Sequence, residues 1–219
     1  MTMLHSGLAT DFAARWQTLA ARLGLSPAVA ASTGAVLLGC YTESTRHYHG
    51  VAHILSMLKG FDAIRVDFGH APAAELAIFF HDLIYDAYRS DNEERSATEM
   101  RSLLGGHLAE EILDRAAFAI LATQRHVMTP DPDANRISDL DMAILGQPWP
   151  VYERYAAGVM REYVPVYGEA AYRQGRVARF IEPVLEHGEI FLTAGFKSLT
   201  AQAMSNLRQE RVWLLSPSA

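Results

Sequence analysis

A single cysteine, Cys40, stands in the whole chain, so no internal disulfide can form and a reducing compartment is expected. Long apolar runs are missing too. The longest, "SPAVAASTGAVLLGC", is too short and too rich in Ser, Thr and Gly to span a bilayer. The opening "MTMLHSGLATDFAARW" has no basic start followed by an apolar stretch, so no secretory signal is expected and the cytoplasm is the default location. Basic residues are in the minority, 19 Lys and Arg against 25 Asp and Glu, for a net charge of −6 with His neutral. The two signs are interspersed, which argues against a broad basic face for duplex nucleic acid. Sustained period-two alternation and β-branched clusters are scarce, which leaves little signal for strands. No internal repeat, low-complexity tract or dividing linker is visible.

Half of the 219 residues are apolar, enough for one substantial core. Their spacing is mostly helical. "DFAARWQTLAARLG" places Phe12, Trp16, Leu19 and Leu23 at helical intervals and ends at Gly24. "SPAVAASTGAVLLGC" begins with Ser26 as an N-cap and Pro27 at the first helical position. "HGVAHILSMLKGF", "PAAELAIFFHDLIYD", "NEERSATEMRSLLGG" and "LAEEILDRAAFAILATQRH" read as further helices. A polar loop, "VMTPDPDANRIS", then leads to a short helix, "DLDMAILG". Three more helices are expected near 148–164, 168–186 and 195–213, with "SPSA" as a frayed end. The expectation is an all-α, single-domain helical bundle of about nine or ten helices over 1–219. Helices in 10–40 and 148–213 would pack on a core of 41–146.

Three short segments carry groups able to do chemistry. In "AIFFHDLIYD", His81 and Asp82 interrupt an apolar helix. A carboxylate buried there is costly unless it is paired or binds a metal. In "RHYHGVAHI", His49 and His53 are four residues apart and share a face on a helix. Such a pair can hold one ion together, or place one ring on the ion and the other beside a substrate. In "ISDLDMAILG", Asp139 and Asp141 precede an apolar run, where either also serves as an N-cap. The preceding "DPDANR" resembles the start of a calcium loop, but Arg136 stands where that loop needs Gly and no Glu closes it. Two imidazoles and two carboxylates, with no thiolate, suit a divalent ion with open positions rather than a closed structural zinc site.

The segments "YTESTRHYHGVAHI", "FHDLIYD", "DNEERSA", "ILATQRH", "DLDMAILG" and "AQAMSNLRQE" occur in that order. With them the chain resembles the HD superfamily of metal-dependent phosphohydrolases, and more narrowly a bacterial group described as predicted metal-dependent HD phosphohydrolases. The resemblance covers about residues 40–210. It implies an HD-type helical fold and a metal held by His53, His81, Asp82 and Asp141. Asp141 is preferred to Asp139 because the last ligand of the superfamily is usually the second acid of a D-x-D. "YHGVAH" is also similar to the "YHNxxHA" segment of cyclic-nucleotide phosphodiesterases, which makes His49 the general acid. Gly50 replaces their Asn and their His-Pro-Gly extension is missing, so cyclic-nucleotide specificity does not follow. The resemblance also favours a Glu of "DNEERSA" near the metal, Glu93 or Glu94, with Glu94 carried as the candidate. The same two acids suit an ordinary helix start, with Asp91 or Asn92 as the cap.

Asp86 is a candidate for a contact behind the metal ligands. Arg46 is the candidate to grip a substrate phosphate through its planar fork. His126 either complements a helix C-terminus or meets phosphate or a second metal. The implied activity is hydrolysis of a phosphate ester or anhydride, of a nucleotide or another small phosphorylated metabolite. One divalent ion is favoured over two, with Mn, Fe, Co, Ni or Zn preferred to Mg. A non-hydrolytic metal- or nucleotide-binding sensor and a di-iron oxygenase are the alternatives. Neither a membrane nor duplex nucleic acid is expected as a partner, and the chain is a monomer or a homodimer.

Overall fold

A computed structural model describes the backbone of residues 2–216 and the side chains of 7–216. It is all-α: 75% of the chain is helical and no strand is present among the described residues. In chain order the helices are α1 (Thr2–Arg22), α2 (Pro27–Tyr41), α3 (Val51–Ala63), α4 (Ala71–Phe80), α5 (Asn92–Leu104) and α6 (Glu110–Ala122). They continue with α7 (Pro132–Met142), α8 (Trp149–Tyr167), α9 (Glu169–Arg176), α10 (Glu182–His187) and α11 (Thr200–Leu215). A π-helical turn, Val177–Ile181, joins α9 to α10 without a break. Counted as one, they bring the helices among the described residues to ten. None is long and apolar enough to cross a membrane. The expected frayed end at 217–219 lies outside the described residues.

The helices gather into two compact units, Met1–Ser138 and Asp139–Ala219. In the first, α4 is the central element. Every residue from Ala73 to Phe80 is buried, and the helix packs against α1, α3, α5 and α6. Its Phe79 and Phe80 meet Phe12 and Trp16 of α1 edge-on, at ring separations of 5.3–6.1 Å. Each such fully buried side chain contributes about 1.5–3 kcal/mol of transfer free energy. Trp16 also donates its Nε1–H to the Ala30 carbonyl at 2.7 Å, tying α1 to α2. Buried Glu75 of α4 accepts from Arg15, Arg22 and Arg65, so its charge is paired rather than stranded.

In the second unit, α8, α9 and α11 enclose a polar core. The Tyr152 hydroxyl donates to Glu210, and Arg176 donates to both Glu210 and the Tyr155 hydroxyl. Asn206 donates to the carbonyls of Leu145 and Gln147, fixing the 3-10 turn Ala143–Gly146 to α11.

Several boundaries differ from the sequence expectation, three of them beside the segments that carry chemistry. α4 ends at Phe80 instead of running to Asp86, because side chains take the Phe79 carbonyl in its last turn and the Asp82 and Leu83 carbonyls beyond it. α6 ends at Ala122, where Thr123 Oγ1 turns back to the Ile120 carbonyl at 2.7 Å, so His126 follows the helix rather than ending it. α7 begins at Pro132, inside the expected loop. There Asp131 Oδ1 accepts from the amides of Asp133 and Ala134, at 2.8 and 3.1 Å. The "DPDANR" that resembled a calcium loop is therefore an Asp cap followed by Pro at the first helical position.

Candidate metal centre

His53, His81 and Asp82 converge in the first unit. His53 comes from the first turn of α3, among buried Val51, Ile54 and Met57. Gly50 is the cap of this helix, and a Cβ there would stand 3.0 Å from the Tyr41 carbonyl oxygen, a close approach that only glycine makes easily. His49 therefore lies just outside α3, not on its face as the spacing suggests. His81 and Asp82 follow the last turn of α4.

The three candidate ligand atoms form a small triangle. His53 Nε2 is 3.2 Å from His81 Nε2, and Asp82 Oδ2 is 3.0 Å from His81 Nε2 and 3.6 Å from His53 Nε2. Edges of that length are what three atoms make when each lies about 2.1 Å from one transition ion. Both imidazoles are buried, and the Asp82 side chain is 13% exposed. His81 Nδ1 lies 3.0 Å from the Ile78 carbonyl, which can only accept, so Nδ1 carries the proton of the neutral ring. Nε2 is then the lone-pair nitrogen facing the triangle. A backbone carbonyl behind the ring is the usual device for fixing a ligand tautomer.

Burial pushes the Asp82 carboxyl upward. With no cation between them and the His81 ring protonated, its charge and its Nε2–H bond, with His49 and His53 beyond, outweigh that and hold the carboxyl well below the usual carboxylate range. Donor type and separation thus fit a divalent cation.

His49 stands beside the triangle. Its ring stacks on Tyr85 at 4.4 Å and lies 5.8 Å from the His53 ring. Of the two glutamates at the start of α5, Glu93 is half-buried and Glu94 is exposed. Burial, backed by the nearby Asp82 charge, raises the Glu93 carboxyl, while His81 and His126 pull it down. Glu94 instead accepts weakly from Gln124 at 3.4 Å. Of the pair, Glu93 is thus the one whose carboxyl feels the charges of Asp82 and His81. Asp91 pairs with Arg89 and Asn92 turns back to Asp86, so neither side chain caps α5. His126 is the one non-glycine residue with positive φ among those described, at 49°. That conformation is uncommon outside glycine and is enriched for His, Asn and Asp.

Arg46 is the clearest correction. It was expected at a substrate phosphate, yet its side chain is 1% exposed. Its donors go to the backbone carbonyls of His49, Asp82 and Leu83 and to the Glu43 carboxylate. Asp86, expected behind the metal ligands, instead accepts from the Tyr88 amide at 2.9 Å and shapes the following turn. Missed altogether was Ser96, buried on α5, whose Oγ accepts from the Ile84 amide at 3.0 Å. A serine inside "EERSATE" carries no signal that it ties down a turn twelve residues earlier.

Asp141, the fourth expected ligand, is on the last turn of α7 and belongs to the second unit, where its charge is felt by Tyr155. In the same unit, its neighbour Asp139 accepts from the amides of Leu192 and Thr193 and from the Thr193 hydroxyl, at 2.6, 2.8 and 2.5 Å. No family model, curated protein or solved structure matches this chain.

Proposed function

We propose that the protein is a metal-dependent hydrolase of a phosphate ester or anhydride, acting on a nucleotide or another small phosphorylated metabolite in the cytoplasm. The observation that carries this reading is the buried triangle of His53 Nε2, His81 Nε2 and Asp82 Oδ2. Two imidazoles and a carboxylate favour Mn, Fe, Co, Ni or Zn over Mg.

When bound, a divalent ion supplies Lewis-acid polarisation of a phosphoryl oxygen and lowers the pKa of water toward neutrality. The chain supplies the rest. His49, held against Tyr85 beside the cluster, protonates the leaving oxygen. Glu93 orients the attacking water and accepts its hydrogen bond. His126 offsets negative charge that develops on the phosphoryl group.

The test is metal analysis of purified wild-type protein and Asp82→Ala, with a phosphatase and phosphodiesterase screen of both. About one ion per chain and hydrolysis in the wild type, both lost in the variant, is the expected result. Equal metal content and equal activity in the two proteins removes the reading. Metal and nucleotide binding without turnover makes the protein a sensor. Two irons per chain with oxygen uptake makes it an oxygenase.

A further inference from the structure

The chain leaves α4 at Phe80, and the turn that follows deprives a run of carbonyls of helical partners. Side chains from elsewhere in the first unit take them. The Phe79 carbonyl accepts from the Tyr41 hydroxyl at 3.0 Å. The next two come from adjacent residues and share one guanidinium. Arg46 Nη1 donates to Asp82 O at 2.5 Å, and Nη2 donates to Leu83 O at 2.8 Å. Nη1 also reaches the His49 carbonyl at 3.2 Å, so the same group ties the segment before α3 to the segment after α4. The guanidinium lies 5.1 Å from the Tyr41 ring centroid and 5.5 Å from that of Tyr85.

A cation enclosed in this way is not offered to a substrate. Its planar fork matches two carbonyls on successive residues, which the point charge of a lysine does not reproduce. The residue whose carbonyl it holds most closely, Asp82, is the one whose carboxylate completes the triangle.

We infer that Arg46 is a positioning residue: by fixing the carbonyls of Asp82 and Leu83, it sets the turn that brings Asp82 Oδ2 against His53 and His81. The inference rests on reading that triangle as a cation site. Substituting it should cost about 10- to 100-fold in metal affinity, the usual effect of removing a group that orients a ligand.

Two readouts test this in Arg46→Met and Arg46→Lys. The first is calorimetric titration of the metal-free protein with Co²⁺. The second is hydrogen exchange of the peptide covering 81–90 in metal-free protein. Both variants should exchange faster in 81–90 and bind Co²⁺ more weakly, with Lys the milder. If Arg46→Met does not fold, Arg46→Lys decides. Glu75→Gln is the control: it disturbs a buried carboxylate held by three partly exposed arginines, so it should lower the melting temperature and leave Co²⁺ affinity unchanged. Co²⁺ affinity within twofold of wild type in either folded variant overturns the proposal. A wild type that takes up no Co²⁺ removes the cation reading alone. Exchange in 81–90 then decides whether Arg46 fixes the turn, and an unchanged rate rejects it.

Discussion

Asp139 shows how one carboxylate can serve the backbone rather than a reaction. It is buried and satisfies the amides of Leu192 and Thr193 together with a hydroxyl. Asp139→Ala strands those donors and should destabilise the protein by about 1–3 kcal/mol in denaturant unfolding. Burial raises the carboxyl of Asp139 despite these bonds. A folded-state pKa above the unfolded value of about 3.9 means that folding disfavours the ionised form. The favourable contribution is therefore full below that value and is lost as pH rises through the folded one. The stability of wild type minus that of Asp139→Asn should fall between pH 3 and pH 7. A difference that grows with pH would contradict this account. Glu93 and Glu94 teach a related lesson. Adjacent acids in a sequence look alike, and only the rotation of α5 leaves one half-buried near His81 and the other in solvent.

At the scale of elements, the sequence was legible where apolar spacing and end signals agreed. Ser26 accepts from the Val29 amide at the start of α2, as its position before Pro27 implies. The miss at α7 came from reading Asp131-Pro132 as part of a loop when the same pair starts a helix. The miss at the end of α4 has another cause. "LAIFFHDLIYD" keeps a helical apolar pattern through the turn, and the groups that stop the helix belong to Tyr41, Arg46 and Ser96. Helix contacts follow equally local rules. A Cβ at Gly34 of α2 would stand 2.6 Å from Trp16 Cδ1, and that ring is held by its bond to Ala30. Gly34→Ala should therefore lower stability by about 1–3 kcal/mol. Gly39→Ala, on the same helix with nothing within 4 Å, should be neutral or stabilising by up to about 1 kcal/mol. Equal thermal shifts for the two would mean that α1 and α2 are not in tight contact at Gly34.

For the whole molecule, the proposed cation site would link ion supply to unfolding. An ion that binds only the folded chain adds about 2.7 kcal/mol at a hundred times its dissociation constant. Saturating Co²⁺ should raise the melting temperature of the wild type and leave Asp82→Ala unmoved; a rise of the same size in both would place the ion elsewhere. The all-α architecture was plain from the lack of strand signals, whereas the gathering into two units, with a division inside α7, was not. No run of Pro, Gly or Ser marks that division, because it falls between Ser138 and Asp139 in mid-helix. The turn after α4 also has a consequence in time. Its clasping groups are 36 to 38 residues upstream, at Tyr41 and Arg46, and twelve downstream, at Ser96. A ribosome must release the chain beyond Ser96 before the clasp can shut, and until then the imidazoles and acids are loose donors on a flexible strand. On the proposed reading, ion capture would then belong to the finished protein rather than the nascent one, and the choice among ions would fall to a preshaped nest.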